Sequence, residues 1–135
     1  MKERQIQTEF SKVIDRPGVY ELKLAKGSSL PYSSVADHQI ESLWDVWSGK
    51  GFFYKIGDNP VFAGMNTRFH AKKPFDCFYL KSYPAYVGIC YYKPRQKRSV
   101  LCINIQIFSH SRESDTRKSL TEERAKEIAE FEINL

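Results

Sequence analysis

Cysteine pairs are missing from this chain. Its three cysteines, Cys77, Cys90 and Cys102, are odd in number and form no Cys-x-x-Cys spacing, which argues against a disulfide framework and against a zinc site. The three histidines show no ligand spacing either. Each cysteine lies in an apolar run, so buried free thiols in a reducing compartment are expected. Long apolar runs are missing too. No segment approaches the roughly 20 residues of a membrane span, and no apolar stretch of signal-peptide length follows the polar Met-Lys-Glu-Arg-Gln start. The expectation is a soluble, intracellular protein, cytoplasmic and without a membrane partner. Internal repeats and low-complexity tracts are absent, and 135 residues with 41% hydrophobic side chains fit one compact domain with a real core.

Charge is present in excess of one sign. The formal net charge is +5, and it is unevenly spread: +7 over residues 1–108 and −2 over residues 109–135. The boundaries expected are therefore a basic core domain over 1–108, then a polar linker and C-terminal helix over 109–135. A basic domain of this size suits a polyanionic partner such as nucleic acid, although a solvated Lys-rich surface would give the same count.

Periodicity predicts the elements. Ile6, Phe10 and Val13 stand at i, i+4 and i+7 of a helix from Gln5 to about Ile14, with Glu9 flanking the buried stripe. Asp15-Arg-Pro-Gly18 turns the chain into a strand from Val19 to Leu24, and Gly27 to Pro31 reads as a loop. Ser33 or Ser34 is the expected cap of a helix reaching Trp47, whose apolar face carries Val35, Leu43, Val46 and Trp47 with Gln39 in line. Gly49-Lys-Gly51 ends it. Further strands are expected at Phe52 to Ile56, Phe75 to Leu80, Ala85 to Tyr92 and Val100 to Phe108, the second and third joined as a hairpin through Lys-Ser-Tyr-Pro. His110 to Lys118 reads as a polar, mobile connection, and Thr121 as the cap of a last helix with Glu122 and Glu123 in its first turn.

Glu21-Leu-Lys23 is the triplet with the most chemistry. Strand side chains alternate between faces, so Glu21 and Lys23 share a face with Val19 while Tyr20, Leu22 and Leu24 point the other way. A carboxylate beside an ammonium can hold a hard divalent ion next to a cation that steadies a hydroxide or phosphate oxygen, which is what phosphodiester cleavage needs. A cross-strand salt bridge on a solvated face is the plain alternative. Gln39 either satisfies buried backbone groups or points at the same site. Asp76, opening an apolar strand, is either a metal ligand or a turn cap, since an unpartnered carboxylate is costly to bury. Tyr20, Phe78 and Tyr86 read as core, Asp15 and Asp58 as turn residues.

Taken together, helical Glu9, strand Glu21-Leu-Lys23, Leu30-Pro-Tyr and His38-Gln39 resemble the PD-(D/E)xK nuclease superfamily. Within it they look most like Holliday-junction resolvases of the bacterial RecU-like and archaeal kind. The resemblance covers roughly residues 4–108. It departs in one respect: the family Asp, normally found before Glu-x-Lys, has its counterpart downstream in Lys73-Pro-Phe-Asp76. The Asp strand is read as displaced in sequence, since active sites are defined in space and chain order need not be kept.

The resemblance implies an α/β (α+β) fold, a restriction-endonuclease-like mixed sheet of about five strands flanked by the Glu9 and Gln39 helices. It implies a metal-dependent endonuclease that resolves four-way DNA junctions. Mg²⁺, or Mn²⁺ as a substitute, would be held by Glu21, Asp76 and the Leu22 carbonyl, with Glu9 completing the site or binding a second ion. Lys23 would orient or help deprotonate the attacking water, and Gln39 would position that water or the phosphate. A two-fold junction needs paired cuts, so a homodimer follows. Arg68, Lys72, Lys73, Lys93, Arg95, Lys97 and Arg98 are the expected phosphate contacts. Another nuclease of the superfamily, acting in repair, restriction or phage DNA processing, and a non-cutting DNA-binding module on the same fold are the alternatives.

Overall fold

Alternating side chains organise the molecule. The computed structural model describes residues 1–55 and 77–135, with the backbone alone for 52–55 and 77–80. In chain order it contains α1 (Glu3–Val13), β1 (Val19–Lys26), β2 (Ser29–Pro31), a 3₁₀ turn (Tyr32–Ser34), α2 (Asp37–Ser48), β3 (Phe52–Lys55) and β4 (Cys77–Leu80). There follow β5 (Ala85–Tyr92), β6 (Ser99–Asn104), α3 (Ile105–Ser114), β7 (Ser119–Thr121), α4 (Glu122–Ile128) and β8 (Phe131–Asn134). A four-stranded mixed sheet runs in the order β1-β5-β6-β8, with β1 parallel to β5 and the other pairs antiparallel. Two-stranded pairs β2-β7 and β3-β4 complete the described sheets. No helix among the described residues is long and apolar enough to cross a membrane.

The sheet is covered on both faces. Ile6 and Phe10 of α1 pack with Leu22, Tyr86, Cys90, Val100 and Cys102 on one side. On the other, Leu43 of α2, Ile105 and Phe108 of α3 and Ala125 of α4 pack with Ala25, Val87, Ile89, Leu101 and Ile103. Burial on two faces explains why β5 reads as a continuous apolar run. Gly88 is demanded by close approach: a Cβ there would lie 2.6 Å from Leu22 Cδ2 and 2.9 Å from Val100 Cγ1.

The structure corrects several expectations. Val13 is 45% exposed, because α1 ends there and the chain turns at Ile14. Ser29–Pro31 is a strand and not a loop, since β7 supplies its partner. Neither Ser33 nor Ser34 caps α2; both lie in the 3₁₀ turn, and the N-cap is Ala36. The expected hairpin of the Phe75 and Ala85 strands does not form: β4 pairs with β3, and β5 with β1 and β6. The connection between them is tied elsewhere, Tyr83 N–H donating to the Val46 carbonyl and Val19 N–H to the Pro84 carbonyl.

The C-terminal third differs most. The last long strand stops at Asn104, whose side chain accepts from Gln106 N–H at 2.9 Å and starts α3. The stretch expected as a mobile connection from His110 is thus partly the second half of a helix, with Ser111 buried. Thr121 does cap the last helix, accepting from Arg124 N–H at 3.2 Å. Beyond it β8 joins the main sheet, and Leu120 and Ala125 belong to the same core as β5 and β6. The mixed sheet has four strands in place of about five.

Candidate active site

Glu21 registers with Val87 and Lys23 with Ile89 in the parallel β1-β5 pair. Leu22 packs toward α1, so Glu21 and Lys23 face the α2 side, as alternation requires. Lys23 Nζ lies 3.3 Å from Glu21 Oε1, and the two side chains are 12% and 26% exposed. The pair is sheltered without being sealed, which strengthens its attraction relative to a surface pair.

Gln39 completes the group from above. It stands in the first turn of α2, where its side-chain carbonyl accepts from Ala36 N–H at 3.0 Å and its amide donates to Glu21 Oε1 at 3.0 Å. One amide therefore satisfies an orphan donor at a helix start and fixes a carboxylate on the neighbouring strand. Sequence reasoning names Gln39 but passes over Ala36, whose contribution is backbone and leaves no side-chain signature. Among the described residues both polar contacts of Glu21 fall on Oε1.

The remaining expected residues distribute as follows. Glu9 is not brought to this point. Its carboxylate meets Arg98 Nη1 at 3.0 Å through each oxygen, and α1 covers the opposite face of the sheet. Lys93 Nζ is held by Glu122 Oε2 at 2.7 Å, pulling that carboxyl below its usual range through the Lys93 hydrogen bond. Two of the cations expected on phosphates are thus engaged within the fold, while Arg95 and Lys97 are exposed. Asp76, Arg68, Lys72 and Lys73 lie outside the described residues. No group of three His, Cys, Asp or Glu side chains suited to a metal gathers among the described residues.

The core assignments hold where they are described. Tyr20 and Tyr86 stack at 5.2 Å and Phe10 meets Tyr20 edge-on at 5.0 Å; burial raises both phenols to about 12. Cys90 and Cys102 are buried free thiols. His38 is exposed on α2.

Chemically, the group offers one carboxylate oriented by an ammonium on the edge strand β1 and by an amide that donates from α2. Compared with protein-family models, with curated proteins and with solved structures, the chain matches none.

Proposed function

We propose that this protein is a metal-dependent DNA endonuclease on a restriction-endonuclease-like fold, with four-way junctions as its substrate. The observation that carries the reading is the meeting of Glu21, Lys23 and Gln39. Three residues singled out from two separate elements of the sequence converge within 3.0–3.3 Å contacts on one carboxylate oxygen. A fortuitous Glu-x-Lys salt bridge does not call for a glutamine aimed at it from a helix.

The donor chemistry suits Mg²⁺ or Mn²⁺, which take hard oxygen ligands. Glu21 and the Leu22 carbonyl would hold the ion, with Asp76 joining from outside the described residues. When bound, it would neutralise charge on the phosphate under attack. Lys23 orients the attacking water and helps remove its proton, and Gln39 holds the Glu21 carboxylate in register. Glu9, tied to Arg98, has no part in this scheme. A homodimer follows from the need for two symmetric cuts.

The test is a labelled four-way junction and a matched linear duplex, each incubated with the protein with and without Mg²⁺. Preferential, Mg²⁺-dependent cutting of the junction supports the reading, and Glu21→Gln and Asp76→Asn should each remove it. Cutting of duplex and junction alike points to another nuclease activity. Mg²⁺-indifferent binding with no cutting points to a DNA-binding module and overturns the enzyme.

A further inference from the structure

Pro31 pairs with Ser119 between β2 and β7, and Tyr32 N–H donates to the Lys118 carbonyl at 3.0 Å. These bonds hold Arg117 and Lys118, from the acidic C-terminal segment, against the turn that leads into α2. Both side chains line a cleft of about 560 Å³ with Ser33, Ala36, Asp37 and Asp115. The two carboxylates there are already engaged. Asp37 Oδ1 takes Arg112 Nη2 at 3.0 Å, while Asp115 Oδ2 accepts from the Tyr32 hydroxyl at 2.7 Å and lies 3.7 Å from Arg124 Nε. Arg117 and Lys118 are exposed, and among the described residues neither makes an ion pair. Neither cation is thus held in an ion pair within the described fold, although Arg117 also lines a neighbouring cleft with Glu123 and Glu127.

The cleft shares one wall residue with the hydrogen-bond network of the candidate active site. Ala36, one of its walls, donates to Gln39, and Gln39 donates to Glu21. The basic turn expected to bind DNA is placed otherwise. Glu21 registers with Val87, and the turn begins after Tyr92, about 17 Å further along β5 at about 3.3 Å per residue. Two of that turn's four cations are also neutralised by Glu122 and Glu9.

We infer that Arg117 and Lys118 form a phosphate-binding subsite that seats the DNA backbone beside Glu21, an assignment that rests on the nuclease reading. The subsite contacts phosphates and reads no base, so it positions the strand without sequence preference. Arginine and lysine serve here as the bidentate and the point-charge binders of phosphate oxygens.

The experiment is a salt titration of binding to a four-way junction, without Mg²⁺, for wild type, Arg117→Ala/Lys118→Ala and Arg95→Ala/Lys97→Ala. Circular dichroism checks that each variant is folded, which exposed positions allow. For the Arg117/Lys118 variant, affinity should weaken alike on every DNA sequence. The slope of log affinity against log salt should fall by up to about 1.8, at about 0.9 per lost contact. The charge-keeping Arg117→Lys/Lys118→Arg protein should restore most of that slope. Wild type that binds with an unchanged slope in the Arg117/Lys118 variant overturns the subsite alone. Wild type that binds no DNA overturns the subsite and the nuclease reading together.

Discussion

Gln39 joins α2 to β1 by donating its side-chain amide to Glu21 Oε1 at 3.0 Å while accepting from Ala36 N–H. The two bonds have separable consequences. Gln39→Ala loses both and should cost about 1 kcal/mol of stability, the usual scale for a lost helix cap. Gln39→Glu keeps an acceptor for Ala36 but sets a like charge against Glu21. The repulsion opposes the retained cap, so its urea midpoint should lie no closer to wild type than that of Gln39→Ala, while junction cutting falls in both. Equal cutting by wild type and both variants would leave Gln39 a cap and nothing more.

Glu21→Gln and Lys23→Ala should each reduce cutting by at least about a hundredfold, the scale on which single electrostatic contacts act in sheltered sites. Junction binding in the absence of Mg²⁺ should persist, because phosphate contacts are made elsewhere. Binding and single-turnover cutting measured on the same preparations separate the two. Loss of binding in parallel with cutting would recast the pair as part of the DNA-holding surface or of the fold.

How much of this was legible depended on the range of the interaction. The β1 alternation, the Gly49 stop of α2 (φ 87°) and the Thr121 cap are local signals and read directly from the chain. Strand pairing is not local. Cys77–Leu80 and Ala85–Tyr92 look like the two arms of a hairpin, and only partners far away in sequence, Phe52–Lys55 and Val19–Lys26, decide otherwise. Asn104 was a readable cap, followed by Ile105, Phe108 and Ser111 at helical spacing, but the apolar run Val100 to Phe108 masks it. β8 alternates cleanly, Phe131 and Ile133 packing inward between Glu130, Glu132 and Asn134; its shortness hides it. At the site, residue types pointed to Glu21, Lys23 and Gln39, whereas the ion pairs of Glu9 and Lys93 span 89 and 29 positions and left no trace in the sequence.

The Gly88 contacts set a packing prediction. A methyl group there would overlap Leu22 Cδ2 and Val100 Cγ1 within the layer under α1. Gly88→Ala should therefore destabilise by about 1–3 kcal/mol, the range for overpacking a core. Leu22→Ala alone is also destabilising through the cavity it leaves. In the double variant the two defects fill one another, so the loss should be smaller than the sum of the single losses. Denaturant titrations of the four proteins measure that coupling. Additive losses would mean that the strand shifts to relieve the clash and Leu22 does not feel it.

Buried thiols make the fold sensitive to alkali. Burial raises Cys102 from its ordinary value of 9.0 to about 12 and raises Cys90 in the same direction. Both side chains are fully enclosed against α1. A group whose folded pKa lies above its unfolded value stays protonated in the native state while the unfolded chain releases its proton. For Cys102 the resulting contribution is complete below about pH 9 and is lost as pH rises toward 12, by up to about 1.4 kcal/mol per pH unit, and Cys90 acts in the same direction. Tyr20, Tyr32, Tyr86 and Tyr91, all raised by burial from 10.0, add a decline of the same sign that begins about one pH unit higher. The cysteines therefore dominate the onset, between about pH 8 and 9. In Cys90→Ala/Cys102→Ala, unfolding free energy should be lower at pH 8 through lost packing, yet nearly flat from pH 8 to 9 and shallower than wild type from pH 9 to 10, where only the tyrosines contribute. Urea titrations at pH 8, 9 and 10 decide the matter. A parallel decline in both proteins would assign the alkaline sensitivity to other groups and remove the thiols from it.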